Sequence, residues 1–264
     1  MDLFSVVLII VAGLWAGTIN AVVGSGTLVT FPVLVALGYS PVTATISNAM
    51  GLIAGNISSS WGFRREIYQV RHTLTKLLPA SLIGGVAGAS LLLHLPDTVF
   101  AYVAPVLIVL AVLLVGFQPK LAEFVRARQK NVSATPSVPM VSLGLVAAVF
   151  FTGIYGGYFV AAQGVMLMGL LGVLLNVTLQ QANALKNILV LGVNVIAAIS
   201  YLLFAFERIE WAVVGLIAIS SFVGGTIGAR IGRKLSAVAL RSVIIVLGLI
   251  ALVVMLSKLF TGNV

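Results

Sequence analysis

The chain has 264 residues, of which 61% are hydrophobic and only 8% charged; a soluble domain carries roughly 25% charged residues, and a mean hydropathy of +1.20 places this one in a membrane. The net charge of +9 sits almost wholly in short segments between apolar runs, where Lys and Arg set topology, so nucleic acid is not an expected partner. The absence of cysteine excludes disulfides, thiolate catalysis and Cys-held metal or iron–sulfur sites.

Met1-Asp2 begins the chain without a basic region or a small-x-small cleavage pattern, so the first apolar run reads as a retained membrane segment. Residues 3 to 63 contain no Asp, Glu, Lys or Arg, a run far longer than the ~20 apolar residues that one crossing of ~30 Å requires. Gly, Pro and charge divide the first half into apolar pieces at 3–23, 27–37, 42–63, 76–93 and 97–117, the last with Pro105 as an expected kink. A linker over 118–139, with Lys120, Arg126, Arg128 and Lys130, is assigned to the cytoplasm. It reads as a plain connector, the alternative being that its helical part lies on anionic lipid. The second half divides at 140–161, 165–175, 178–205, 211–229 and 237–257. The domains are therefore repeat 1 over 1–117, the linker 118–139, and repeat 2 over 140–264.

The word repeat is literal. Ser81-Leu82-Ile83-Gly84-Gly85-Val86-Ala87-Gly88-Ala89 recurs as Ser221-Phe222-Val223-Gly224-Gly225-Thr226-Ile227-Gly228-Ala229. Upstream, Gly26 falls on Gly164, Ala44 on Ala182, Asn48 on Lys186 and Asn56 on Asn194. Loop charges are swapped between the copies. Copy one is basic before its Gly-Gly segment (Arg64, Arg65, Glu66, Arg71, Lys76) and holds only His94 and Asp97 after it. Copy two holds Glu207, Arg208 and Glu210 before, and Arg230, Arg233, Lys234 and Arg241 after. Since Lys/Arg excess marks the cytoplasmic side, homologous loops of swapped charge belong on opposite faces, the pattern of an inverted-repeat transporter. The pieces 27–37 and 165–175 rise only ~16 Å as helix and cannot cross, so each is read as the second arm of a broken, re-entrant hairpin. The expected fold is an all-α polytopic membrane protein of two five-segment inverted repeats. Eight crossings arranged as two parallel sets of four are the alternative.

Chemistry is expected where helices break at membrane depth, because unpaired backbone is tolerated there only when it lines a cavity or is buried in protein. The breaks are Gly24-Ser25-Gly26-Thr27 and Gln163-Gly164. Each begins a half-helix whose N–H groups and positive dipole end attract anions, and glycine lets a ligand approach closely. Gly84, Gly85, Gly88, Gly224, Gly225 and Gly228 are assigned to helix packing instead. Lys186 is the one charged residue deep inside an apolar piece. It shares its segment with Asn183, Asn187 and Asn194, and copy one offers the neutral set Thr45, Ser47, Asn48 and Asn56. No acid lies within the membrane pieces, so an exogenous anion is the expected counter-charge; the alternative is a lysine near an interface that only fixes topology. Asp2, Asp97, Glu66, Glu123, Glu207 and Glu210 all lie at segment ends or in loops, which leaves no buried carboxylate relay.

The run Ala16-Gly17-Thr18-Ile19-Asn20-Ala21-Val22-Val23-Gly24-Ser25-Gly26-Thr27-Leu28-Val29-Thr30-Phe31-Pro32 resembles the opening signature of the TauE/SafE (sulfite exporter, TSUP) family of membrane permeases. Gly38 to Thr45, Trp61 to Glu66 and Gln181 to Asn187 continue the resemblance over nearly the whole chain. Gly24-Ser25-Gly26 departs from it, since many members have three or more glycines there. The resemblance implies a multi-pass protein of a bacterial inner membrane that moves sulfite or an organosulfonate anion. An anion channel or a membrane-embedded enzyme are the rival classes; Ser25 invites a serine nucleophile, but His72 and His94 lie in or beside loops, so a Ser–His pair is not expected. The candidate substrate-binding set is Asn20, Gly24, Ser25, Gly26, Thr27, Asn48, Gln163, Gly164, Asn183, Lys186 and Asn187. A small anion and membrane lipid are the expected partners, with no cofactor or metal, and the oligomeric state is not indicated.

Overall fold

A computed structural model describes residues 1–130, 141–231 and 237–260. Eleven α-helices and one 3-10 turn make up the described chain, which contains no strand. In order they are α1 (Leu3–Val22), the short α2 (Thr27–Ala36), α3 (Pro41–Gly62), α4 (Arg64–Gln69), α5 (Arg71–His94), α6 (Asp97–Lys130), α7 (Leu143–Tyr158), α8 (Gln163–Leu174), α9 (Leu179–Phe204), the turn Phe206–Arg208, α10 (Trp211–Ile231) and α11 (Ala237–Phe260). All ten expected apolar pieces appear. Two corrections concern the basic segments. The 64–76 loop is helical nearly throughout, as α4 and the start of α5; and the linker boundary at 118 falls inside α6, which runs through Pro105 and Pro119 to Lys130. The rest of that linker, 131–139, and the loop holding Arg233 and Lys234 lie outside the described residues.

Local chemistry explains where the helices begin. Asp2, Ser40, Ser142 and Thr178 cap α1, α3, α7 and α9 by accepting from a backbone N–H three residues on, and Thr178 forms a full capping box with Gln181. Helices α1, α5, α6, α9, α10 and α11 are each long and apolar enough to span a bilayer; the chain is a multi-pass membrane protein. Helix α3 is long enough but polar. It buries Thr45, Ser47, Asn48, Asn56, Ser58, Ser59 and Ser60 against α1, α9 and α10, which withdraws them from lipid. Helix α1 shows the converse division, with Phe4, Val7, Val11 and Trp15 exposed while Gly13, Ala16 and Gly17 face inward, as close packing between membrane helices requires.

The glycine contacts give the running directions. Gly13 faces Ile217 and Ser220, Gly17 faces Ser221 and Gly225, and Gly228 faces Thr18 and Ala21, so α1 and α10 run the same way. Gly51 against Val214 and Ile217, Gly55 against Ser221, and Gly62 against Ala229 align α3 with them. In the same manner Gly84 against Gly153 and Ile154, and Gly88 against Gly157 and Tyr158, align α5 with α7. Gly85 against Val193 and Ile196, and Gly192 against Leu78 and Leu82, add α9 to that set. The two sets oppose each other. Gln181, at the start of α9, donates to Gln69 beyond the end of α3 (3.1 Å), while the Glu210 N–H beyond α9 donates to Ser47 near the start of α3 (3.0 Å). Arg208 joins Asp97 at 2.8 Å on the Glu210 end, and Arg230 lies on the Gln69 end. Exchanging α1 for α7, α2 for α8, α3 for α9, α5 for α10 and α6 for α11 maps the main helix contacts onto one another: α1–α10 becomes α7–α5, α3–α10 becomes α9–α5, α2–α11 becomes α8–α6, and α3–α9 and α6–α11 map onto themselves.

Candidate functional site

Two chain breaks organise the centre of the molecule. The first, Val23–Gly26, separates α1 from α2 and turns at Gly24, whose φ of 91° is left-handed, a conformation glycine adopts without cost. The second, Phe159–Ala162, separates α7 from α8 and lies a few residues earlier than the expected Gln163-Gly164, which are already the first helical residues of α8. It turns at Val160, with φ 67°, and the Ala161 N–H donates to the Phe159 carbonyl at 2.8 Å. That is a γ-turn of the rare, strained hand, built on a β-branched residue. In contrast to α1, α3, α7 and α9, neither α2 nor α8 has a side-chain cap. Both half-helices present uncapped, positive N-terminal ends.

These breaks touch. A Cβ added to Gly24 would lie 2.7 Å from the Gly164 Cα and 3.1 Å from Lys186 Cδ, and one added to Gly164 would lie 2.5 Å from the Gly24 Cα and carbonyl oxygen. No side chain fits between them. Lys186 enters from α9, seven residues after Leu179 and so about 10 Å along the helix, and is 1% exposed. Its Nζ donates to the Asn20 carbonyl at 2.8 Å and the Ala21 carbonyl at 3.4 Å. Asn183 Nδ2 donates to the same Ala21 carbonyl at 3.0 Å. The C-terminal turn of α1, the negative end of its dipole, thus takes up part of the ammonium's hydrogen-bonding capacity. Sequence reasoning looked for an acid and found none; the acceptors are backbone groups, which no residue type announces. Among the described residues Lys186 is the one buried charged side chain.

The remaining expected residues divide. Asn20 pairs with Asn56 (2.6 Å). Asn48 accepts from Thr30 and donates to Thr27 (3.1 Å), so that Thr27 and Asn48 tie α2 to α3. Gly26 abuts the Ala16 carbonyl and Asn20, which makes it a packing contact of α2 on α1. In the segments that meet at the junction, by contrast, buried polar atoms are left without protein partners: Ser25 Oγ beside Gly24 in the chain, both amide atoms of Gln163 beside Gly164, and, on the helix of Lys186, Asn183 Oδ1 and Asn187 Nδ2. Gln163 is fully buried, and its amide lies in the space that a side chain on Gly156 would fill. Gly156, Val160, Thr30 and the Ala21 carbonyl were not expected from the sequence. The alignment of the two copies at Gly26 and Gly164 could have drawn attention to Val160 as the partner of the first break. Among the described residues no group of three or more His, Cys, Asp or Glu is placed to hold a metal.

The profile of the family described as Sulfite exporter TauE/SafE matches residues 9–255. A protein named "Probable membrane transporter protein YfcA" from Escherichia coli strain K12 is 26% identical over 230 residues, covering 83% of this chain and 79% of that one. "Probable membrane transporter protein ORF9" from Sinorhizobium sp is 27% identical over 246 residues, covering 90% and 87%. A "Probable membrane transporter protein" of Haemophilus influenzae is 25% identical over 235 residues, covering 89% and 88%. No solved structure matches.

Proposed function

Because the chain belongs to the sulfite exporter TauE/SafE family, a family of membrane transporters, we propose that it is a secondary transporter carrying a small sulfur-containing anion, sulfite or an organosulfonate, across a bacterial inner membrane by alternating access. The observation that carries this reading is the junction itself. Two uncapped half-helix ends meet beside a buried ammonium, with unpartnered polar atoms around them, and positive half-helix ends facing a central site are how transporters hold anionic groups.

We read the two halves as inverted repeats. In support, α1, α3 and α10 run one way and α5, α7 and α9 the other, so α1, α3 and α5 each oppose their sequence counterparts α7, α9 and α10. A parallel arrangement of two four-crossing sets would require the opposite. Since α1 and α3 run alike, α2 must return the chain between them, and α8 does the same between α7 and α9. The end bearing Arg64, Arg65, Arg71 and Arg230 is then cytoplasmic. Rocking of one half against the other about Gly24 and Gly164 would expose the junction to each side in turn.

Reconstitution tests this. The purified chain in proteoliposomes should take up labelled sulfite with saturation, and uptake should rise when unlabelled sulfite is loaded inside. Saturable counterflow is the mark of a carrier; flux that is linear in concentration and indifferent to internal sulfite would make the protein a channel.

A further inference from the structure

Resting on the reading that an anion binds at this junction, we infer that its ligand is a monoanion that also donates a hydrogen bond: an oxyanion that keeps one of its own protons, in preference to a dianion or to an anion with no donor. Charge carries the first half. Each break contributes one half-helix N-terminal end, worth roughly +0.5, and one C-terminal end of α1 or α7, worth roughly −0.5, so the dipoles offer N–H groups that orient an anion but add no net charge. The ammonium of Lys186 remains, and no other buried charge is found among the described residues. A monoanion is neutralised there. A dianion would leave one buried negative charge uncompensated, facing the carbonyls of Asn20 and Ala21 that already hold Lys186.

Hydrogen-bond bookkeeping carries the second half. Of the unpartnered atoms in the segments that meet here, Gln163 Nε2 and Asn187 Nδ2 donate, Ser25 Oγ can donate or accept, and Gln163 Oε1 and Asn183 Oδ1 only accept. Gln163 directly precedes Gly164, and Asn183 is fixed by its own bond to the Ala21 carbonyl that Lys186 shares. Rotating the Gln163 amide changes nothing, because both ends lack partners. A donor-free anion could satisfy the amide nitrogens, but even with the Ser25 hydroxyl donating to one acceptor oxygen it would bury the other unpaired against its own oxygens. The Ser25 hydroxyl can serve one of the two acceptors, and one ligand O–H serves the other. A site built to accept such a group rejects analogues that lack it strongly.

Three probes at one weakly acidic pH separate the claims. Methylphosphonate is there a monoanion with one O–H, methanesulfonate a monoanion of nearly the same shape without it, and sulfate a donor-free dianion. Uptake of each labelled probe into proteoliposomes containing the full chain should favour methylphosphonate over methanesulfonate by roughly tenfold or more, with sulfate poorest. Gln163→Leu should bring methylphosphonate and methanesulfonate within about threefold of each other. Equal uptake of those two by the parent protein, or preference for sulfate, overturns this inference while anion transport stands. An unchanged ratio in a folded Gln163→Leu protein overturns the role given to that amide. If none of the three, nor sulfite, enters the vesicles, the transport reading falls and this inference with it.

Discussion

Replacing Lys186 by Met asks the most of the site. The substitution keeps an unbranched side chain of similar length in a position that is 1% exposed and removes the ammonium. For stability two effects oppose: an intramembrane cation costs ~2.5–3.5 kcal/mol on insertion scales, while its charge-assisted bonds to the carbonyls of Asn20 and Ala21 contribute ~1.5–3 kcal/mol each. The expected net change runs from about 0.5 kcal/mol stabilising to about 3.5 kcal/mol destabilising, with the long Ala21 bond favouring the lower part of that range, so the variant should fold. For binding nothing offsets the loss. An ammonium and an anion ~4 Å apart attract by about 4 kcal/mol at an effective dielectric constant of ~20, which is on the order of a thousandfold in affinity. The assay is equilibrium binding of labelled sulfite to purified protein in detergent, with thermal unfolding measured on the same samples. Lys186→Arg should recover only part of the affinity, because a planar guanidinium does not reproduce a compact point charge. A folded Lys186→Met protein whose Kd stays within about threefold of the parent would refute the reasoning; Lys186 would then serve only to hold the end of α1.

In this cysteine-free chain, single cysteines at positions 94 and 207 should react from one side of the membrane and one at 230 from the other; labelling of 94 and 230 from the same side would refute the inverted arrangement. Gly164→Ala should abolish transport, since its Cβ would press into the backbone of Gly24 at a cost of ~1–3 kcal/mol or more, whereas Gly38→Ala, also at positive φ but with open space around it, should lose only ~1 kcal/mol of stability and keep transport; comparable uptake by the two variants would show that the Gly24–Gly164 contact is dispensable. Gly88→Ala should be nearly as damaging to the fold as Gly164→Ala, because its Cβ would meet the backbone of Gly157 and Tyr158, and a parent-like melting temperature would show that α5 and α7 can separate freely. Val160→Gly releases ~1–3 kcal/mol of strain in the turn but deletes a side chain buried in the core at a comparable cost, so thermal stability should change little, and a loss of more than about 3 kcal/mol would mean that the strain is not there.

Of the residues that meet at the candidate junction, the sequence drew attention to Gly24, Gly164 and Lys186, since glycine and charge inside apolar runs are conspicuous. It assigned Gly88 to helix packing, and the contact with the α7 backbone is of that kind; its closeness is the part the sequence left open, since a small-residue motif says that helices approach, not how closely. Asn48 looked equivalent to Lys186 because the two align between copies, yet Thr27 and Thr30 occupy its amide, a pairing set by how α2 folds back on α3. Helix α4 went unread because Arg64–Gln69 is too short for a periodic signal.

What the sequence determined by itself was the solvent and the connectivity. An apolar chain cannot leave backbone groups unpaired in lipid, so its runs had to become helices; the swapped Lys and Arg in its loops and the brevity of its eleven-residue pieces support the inverted, re-entrant arrangement proposed above. What the tertiary structure decided was what meets what. Gly24 and Gly164 lie 140 residues apart, and their contact depends on helices of both halves packing at once. Lys186 is held by the carbonyls of Asn20 and Ala21, groups that every residue carries and that only the end of a helix leaves free to accept. Val160 adopts a backbone conformation its β-branched side chain disfavours, and only the packing around it can impose that.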